Sequence, residues 1–423
     1  MKGAKYLSPR DALRLMAALA ALALGFAARR VPGRQVRIQA VLGRACARTL
    51  RYVGGAYVKL GQLLATRADL FHAAFRAPLS ALQDEQSDMS LDRCLRALPP
   101  QVSADLLRRY TFIDHPLIGS GSVAQVFAAT EKNSCRAVAI KIVRAESWSR
   151  FLRDAVSLRW AVARLARTRG LRGWPLTDAV RRCLRPICLQ FNMPREAQLQ
   201  ARARLQYEKS GVIHIPAVLE VLHPRVLIME RVAGLARIGS RPATAPAALE
   251  HGLELLFEMV FVSGLLHCDL HPGNLLVGPA GELAVLDWGL AVQVSEAERT
   301  AIARFFLALV TGDAEAGSEV CLATATPFAT VDAKSLRDGI DQLFARVSGA
   351  VAGDFDLTGF AAALIGVQAR HGLSATPGFV LPIMAMASFE GELKRLDPHC
   401  DFQRIALPWV VQSLGNFPRA RAA

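Results

Sequence analysis

The sequence predicts an α+β fold of two lobes behind a helical N-terminal extension. Three observations carry that prediction. Residues from about 35 to 110 place apolar side chains at helical spacing. From Phe112 short β-rich runs joined by turns take over. From Leu253 onward the chain reads as a helix, a loop, two short strands (LLVG and LAVLD) and then mainly helices to its end.

The composition can support such a fold. At 423 residues, 52% of them hydrophobic, the chain exceeds one average domain and is not a disordered polymer. Lys and Arg number 51 against 36 Asp and Glu, a net charge of +15. That balance favours anionic partners such as a phospholipid surface, nucleotides or nucleic acid. Eight cysteines (Cys46, Cys94, Cys135, Cys183, Cys188, Cys268, Cys321 and Cys400) are scattered without paired CxxC spacing or nearby His ligands in a metal-finger pattern. This excludes a metal finger and fits a reduced compartment.

In chain order, residues 1–34 are hydrophobic and basic. Leu15 to Ala28 is an apolar run of 14 residues between Arg10 and Arg14 on one side and Arg29, Arg30 and Arg34 on the other. As a helix it spans roughly 21 Å, short of the ~30 Å hydrocarbon core. An Ala-rich packing helix and a basic-flanked interfacial anchor both fit it. It leads into no persuasive cleavage site, and no other stretch is long and apolar enough to span a membrane.

Residues 35–111 form the helical extension. Residues 112–235 form the small lobe, where PLIGSGSVAQVFAAT and AVAIKIV are strands joined by a turn at Lys132-Asn133. An Arg-rich helical insert follows over about 146–190, and IPAVLEVLHPRVLIMERVAGL restores strands. Residues 236–423 form the larger lobe, entered through a Pro/Ala-rich connector at 241–248. The chain has no internal repeat.

The strongest constellation is His267-Cys268-Asp269-Leu270-His271-Pro272-Gly273-Asn274, followed thirteen residues later by Asp287-Trp288-Gly289. This is the spacing of a kinase catalytic loop and its metal-binding triplet. The chemistry needs an Asp beside an acceptor hydroxyl, with an Asn five residues on and a second Asp after a β-hairpin to hold Mg²⁺ against phosphates. Asp269 takes the first role, Asn274 and Asp287 the second.

Upstream, Val138-Ala139-Ile140-Lys141 closes a strand where an ammonium can neutralise the α- and β-phosphates of ATP. Gly119-Ser120-Gly121-Ser122-Val123-Ala124-Gln125-Val126 matches GxGxxGxV except that Ala124 replaces the third glycine, and Val126 lies fifteen residues before Lys141. Glycines there let backbone N–H groups approach phosphate oxygens. Glu196, at the start of a helix in PREAQLQARA, is the candidate to pair with Lys141. Leu227-Ile228-Met229-Glu230-Arg231-Val232 reads as a strand entering a hinge, where Met229, Glu230 and Val232 would meet adenine. The fold class is therefore two-lobed and protein-kinase-like.

The chain resembles the UbiB/ADCK family of atypical kinases from about residue 50 to about 402. The separating mark is the KxGQ motif, here Lys59-Leu60-Gly61-Gln62, followed by Leu82-Gln83-Asp84. The pair Glu196-Ala197, the hinge MERVAG, the HCDLHPGN loop and the late segment FEGELKRLDPHCDF are also family-like. Lys141 and Glu196 are 55 residues apart, in keeping with the family's helical insert, which supports Glu196 as the partner of Lys141.

Two departures stand out. The family usually has an alanine-rich loop where this chain has GSGS, and an ExD motif where this chain has Gln190-Phe191-Asn192. The resemblance implies a KxGQ helix, with Lys59 and Gln62, that covers the nucleotide site and blocks protein substrates. Amides in place of the ExD carboxylates weaken the contact with Lys59, so a more conventional phosphate loop and a looser KxGQ helix are expected.

The resemblance further implies an ATP- and Mg²⁺-dependent kinase or ATPase supporting ubiquinone biosynthesis, with quinone-biosynthesis proteins or lipid precursors as partners. An anionic membrane surface is the expected location, on the cytoplasmic side of an inner membrane. A homodimer is allowed, and no nucleic-acid partner is expected. A small-molecule phosphotransferase of the aminoglycoside or choline kinase type is the first alternative, and KxGQ with the insert argues against it. A non-catalytic module binding lipid or protein is the second, and retention of Lys141, Glu196, Asp269, Asn274 and Asp287 argues against that.

Overall fold

The computed structural model describes residues 36–53, 73–82, 88–121, 123–144, 151–156, 188–237, 245–327, 330–346, 357–396 and 402–415, with residues 58, 61, 65, 148, 149 and 163 between them. The chain divides into two compact units, residues 1–195 with Val218–Arg231, and Glu196–Ala217 with Val232–Ala423. The apolar segment at 15–28, most of the insert, Lys59, Gln62 and Ser122 lie outside the described residues. Among the described residues, no helix is long and apolar enough to cross a membrane.

The first unit opens with helix α1 (Val36–Val53) packed on α2 (Ala73–Ser80). Cys46, Ala47 and Leu50 recur at helical spacing on the buried face of α1. Gly43 lets the two backbones meet, since a Cβ there would stand 2.3 Å from the carbonyl oxygen of Phe75. Gly61 of the KxGQ motif serves the same layer: a Cβ would come within 2.4 Å of Leu82 Cδ1 and 2.9 Å of Leu50 Cδ1. The motif's glycine is therefore a packing residue.

Helices α3 (Leu91–Arg96) and α4 (Pro100–Arg109) follow, the first capped by Ser90, whose side chain accepts from Arg93 N–H. The strands β1 (Tyr110–Ser120), β2 (Ala124–Glu131), β3 (Ala137–Val143), β5 (Val218–His223) and β6 (Val226–Glu230) form an antiparallel sheet in the order β1-β2-β3-β6-β5. Strand β1 begins at Tyr110, two residues before the expected change of pattern, because Tyr110 and Thr111 already pair with Glu131 and Thr130. Phe127, Ile140, Ile142, Val226 and Ile228 bury one face of this sheet against Leu95, Leu98 and Leu106.

The second unit holds α5 (Met193–Tyr207) from Glu196 onward, β4 (Ile213–His214) and β7 (Ala236–Arg237). Helix α6 (Ala245–Phe257) begins inside the segment expected to be a connector, because Pro246 is tolerated in a first helical turn where its missing N–H has no partner to lose. A π-helical turn at Glu258–Ser263 extends α6 and ends at Gly264, with φ 69°. Strands β8 (Leu265–Leu266), β9 (Leu275–Val277), β10 (Leu283–Val285) and β11 (Val292–Gln293) build a four-stranded sheet β4-β10-β9-β7 and a separate pair β8-β11.

The remainder is mainly helical: α7 (Glu296–Thr311), α8 (Ala314–Thr324), α9 (Ala333–Phe344), α10 (Leu357–Arg370), α11 (Pro377–Leu396) and α12 (Phe402–Gly415). Strands β12 (Ala325–Pro327) and β13 (Leu373–Ala375) pair between them. At three residues each they are too short for an alternating pattern to announce them. Phe257, Phe261, Phe305, Phe344, Phe379 and Phe389 fill the core.

Candidate functional site

The loop between β8 and β9 is held by its own atoms. His267 is fully buried with its ring edge-on to Trp288, centroids 4.9 Å apart. Its Nε2 faces the carbonyl of Leu286 at 2.9 Å, and its Nδ1 faces the N–H of Asp269 at 3.3 Å. Nδ1 can only accept from that N–H, so Nε2 carries the proton and the ring is neutral. Burial lowers its pKa in the same direction.

The backbone N–H groups of His271 and Asn274 donate to Asp269 O and His271 O, each at 2.8 Å. Asn274 Nδ2 donates to Asp269 O at 3.0 Å, which turns Oδ1 away from that contact. Leu286 N–H donates to Asn274 O at 2.9 Å, bringing the residue before Asp287 against the loop.

Asp287 has left-handed backbone geometry, φ 58° and ψ 74°, which a short polar side chain tolerates best after glycine. Its Oδ1 accepts from Gly289 N–H at 3.3 Å, while Trp288 is fully buried with Nε1 donating to Val285 O. The carboxylates of Glu196 and Asp287 both border Gly289: a Cβ there would lie 3.2 Å from an oxygen of each. An amide oxygen and converging carboxylates suit a hard divalent cation.

Helix α5, which begins beside Glu196, is fastened along its length. Gln200 donates to Pro216 O at 2.8 Å and Arg204 to Ile215 O at 2.6 Å. Arg202 donates to Gln293 Oε1 on β11 at 2.6 Å. Gln206, the Tyr207 hydroxyl and Ser263 Oγ all donate to the carboxylate of Glu258 in the π-helical turn. Burial raises the Glu258 pKa and pushes that of Tyr207 up as well. The position of Glu196 is thus set by the segments that flank the catalytic loop.

In the first unit, Gly119 and Ser120 end β1, and Gly121 N–H donates to Ala124 O at 2.9 Å across the turn. Neither glycine has a positive φ. A Cβ on Gly119 would meet Val126 at 3.4 Å, and one on Gly121 would meet Ala124 O at 3.5 Å. The fold alone does not demand glycine here. Ser120 Oγ donates to Asp88 and accepts from Arg144 Nη2 at 2.8 Å. Gln125, fully buried, accepts from Met89 N–H and from the Cys94 thiol. Segment 88–94 thus holds the loop and its outgoing strand.

Lys141 is buried on β3 with Val126 and Leu227 as its cross-strand neighbours. Met229 and Glu230 end β6 opposite Ala139 and Val138, and Val232 belongs to the second unit. The structure therefore collects Asp269, Asn274, Asp287 and Glu196 in one unit, and Gly119, Ser120, Gly121, Val126, Lys141, Met229 and Glu230 in the other. Sequence reasoning missed Asp88, Gln125 and Arg144, whose partners lie 24 to 36 residues away. It also missed Glu258, whose α-helical pattern concealed the π-turn.

The sheet, the helical unit and the Asp269–Asn274–Asp287 arrangement define a protein-kinase-like chain. The family profile described as the ABC1 atypical kinase-like domain matches residues 81–321, more than half of the chain, and the chain belongs to that family. It is 24% identical over 390 residues to the probable protein kinase UbiB of Shewanella sp. (strain W3-18-1), covering 86% of this chain and 69% of that protein. It is 26% identical over 387 residues to the probable protein kinase UbiB of Cellvibrio japonicus (strain Ueda107), covering 89% and 69%. The structure of Rv3197 from Mycobacterium tuberculosis, solved as a complex with erythromycin, aligns at a TM-score of 0.53 with 17% identity. That alignment covers 75% of this chain and 90% of the other and shows a shared fold.

Proposed function

We propose that the chain is an atypical kinase or ATPase that uses Mg·ATP at an anionic membrane surface and supports isoprenoid quinone biosynthesis. The observation that carries the chemistry is the side-chain amide of Asn274. Its nitrogen is committed to Asp269 O, so its oxygen is the free donor atom beside a segment that leads directly into Asp287. Among the described residues no cluster of three or more His, Cys, Asp or Glu side chains could hold a metal unaided. That suits Mg²⁺, which takes one or two protein oxygens and completes its shell with water and phosphate oxygens.

When bound, Mg²⁺ offsets charge on the phosphates and orients them. Asn274 and Asp287 would hold it. Asp269 would accept the proton of the attacking hydroxyl or water, and the neutral His267 keeps the Asp269 backbone in place. Lys141 would supply the positive charge for the α- and β-phosphates. Gly119, Ser120, Gly121 and Ser122 would form the phosphate loop, in which the Gly121 N–H is already donated to Ala124 O, Val126 would contact the base, and Met229, Glu230 and Val232 would offer the adenine edge its partners. Lys59 and Gln62 lie on the segment that the family resemblance assigns to covering the site, which favours water, a lipid or a small molecule as acceptor over a protein.

Deleting the gene should lower cellular isoprenoid quinone, and a copy carrying Asp287→Asn should fail to restore it where wild type succeeds. A normal quinone content in the deletion strain would contradict the biosynthetic role and leave the ATP chemistry to be judged by turnover.

A further inference from the structure

The outward face of α1 carries four arginines and no acidic residue. Arg37, Arg44, Arg48 and Arg51 are exposed, and at 100° per residue they fall within about 60° of the helix circumference. The 18-residue helix contains neither Asp nor Glu. None of the four arginines makes an ion pair or side-chain hydrogen bond among the described residues.

Alongside this stripe runs an apolar one. Val41, Tyr52 and Ile38 occupy roughly the next 80° of the circumference and are 55%, 76% and 45% exposed. The opposite face, with Gln39, Cys46, Ala47 and Leu50, is buried. Helix α1 is therefore apolar inward, and basic and apolar side by side outward.

We propose that this outer face docks on an anionic phospholipid surface, the arginines meeting phosphate headgroups while Val41, Tyr52 and Ile38 enter the headgroup boundary. The inference rests on the membrane-surface reading above and names the surface that would make the contact. Unpaired arginines supply charge complementarity to anionic lipid. The adjoining apolar row distinguishes a bilayer from a nucleic acid, whose phosphates require the charge alone. Both components sit on one rigid helix whose inner face is packed, so docking needs no refolding.

The test is co-sedimentation of the full chain with phosphatidylcholine vesicles containing or lacking phosphatidylglycerol. Wild type should sediment with the anionic vesicles only. Combined Arg37→Gln, Arg44→Gln, Arg48→Gln and Arg51→Gln should weaken binding at least about tenfold. Combined Arg136→Gln, Arg153→Gln, Arg346→Gln and Arg370→Gln removes the same charge elsewhere and should weaken it far less. Val41→Asn with Tyr52→Asn should weaken binding while preserving its salt dependence, and this pair keeps the test independent of whether the fourfold variant folds.

Equal losses in the two fourfold variants would assign binding to bulk charge and overturn the proposal. Wild-type binding by the α1 variants would overturn it while leaving membrane association standing. A wild type that ignores anionic vesicles would remove the membrane reading itself. Binding of duplex DNA in place of vesicles, lost in the α1 variant, would assign the face to nucleic acid.

Discussion

The catalytic loop and the glycine loop are supported in opposite ways. In the catalytic loop most supports are local: Asp269 N–H to His267, Asn274 Nδ2 to Asp269 O, and Gly289 N–H to Asp287, spans of two to five residues, with His267 Nε2 to Leu286 O the longer one at 19. In the glycine loop the turn closes through Gly121 N–H to Ala124 O, but the side-chain supports come from afar: Asp88 and Arg144 on Ser120, and Met89 and Cys94 on Gln125, spans of 24 to 36 residues. In the first loop Asp269, Asn274 and Asp287 take part in the bonding that holds it and also carry its chemistry. In the second loop, scaffold and chemistry are separate residues, so one can be altered without the other.

The largest effect is expected where the two roles coincide. Asn274→Ala removes both the bond to Asp269 O and a cation donor, and ATP turnover should fall by about a hundredfold or more. A loss of under tenfold would show that Asn274 only braces the loop. Next, His267→Leu should cost about 1–3 kcal/mol in urea unfolding, because a partly buried N–H and a partly buried carbonyl both lose their partner. An unchanged midpoint would mean that local bonding does not hold the loop.

The glycine loop should respond differently. Asp88→Ala frees Ser120 on one side and should raise KM for ATP severalfold, with a modest loss of thermal stability, since Asp88 itself is exposed but its ion-pair partner Arg144 is buried. Gly119→Ala should alter stability by less than about 0.5 kcal/mol, since its Cβ meets only Val126 at ordinary contact distance. Any effect it has should appear in nucleotide affinity. A marked fall in stability from Gly119→Ala would erase the distinction between the two loops.

The smallest effect is a pH slope. Burial raises the Glu258 pKa in the folded chain above the roughly 4.3 of an unfolded glutamate. Between those values the folded state binds more protons, so the contribution of Glu258 to stability is fully present below about 4.3 and is lost as pH rises through the raised value. Glu258→Gln should flatten that part of the stability profile. Parallel profiles for wild type and variant would contradict the assignment.

The contrast between near and distant supports also explains what the sequence could reveal. HCDLHPGN and DWG were legible because the chemistry and its scaffold sit on one short stretch, and the strands beside them are short apolar runs. Asp88 and Arg144 gave no signal, because a charged residue beside a strand reads as solvent-facing until its partner is known. Glu258 was hidden by a turn of π-helix that keeps an α-like apolar pattern, and α6 by a proline that marks a helix start as readily as a connector. Gly61 was visible as a motif letter, while its packing against Leu50 and Leu82 depends on α1 and on the segment after α2. Lys59 and Gln62 lie outside the described residues, so their place rests on the resemblance alone.

The most direct test of the account is steady-state release of phosphate from ATP by the full chain in Mg²⁺, on anionic vesicles, with Asp287→Asn as the comparison. Asparagine accepts the left-handed backbone at this position, so the variant should fold and bind vesicles as wild type does. Wild type should show Mg²⁺-dependent turnover, and the variant should lose about a hundredfold or more of it. Equal turnover in the two proteins would contradict the account.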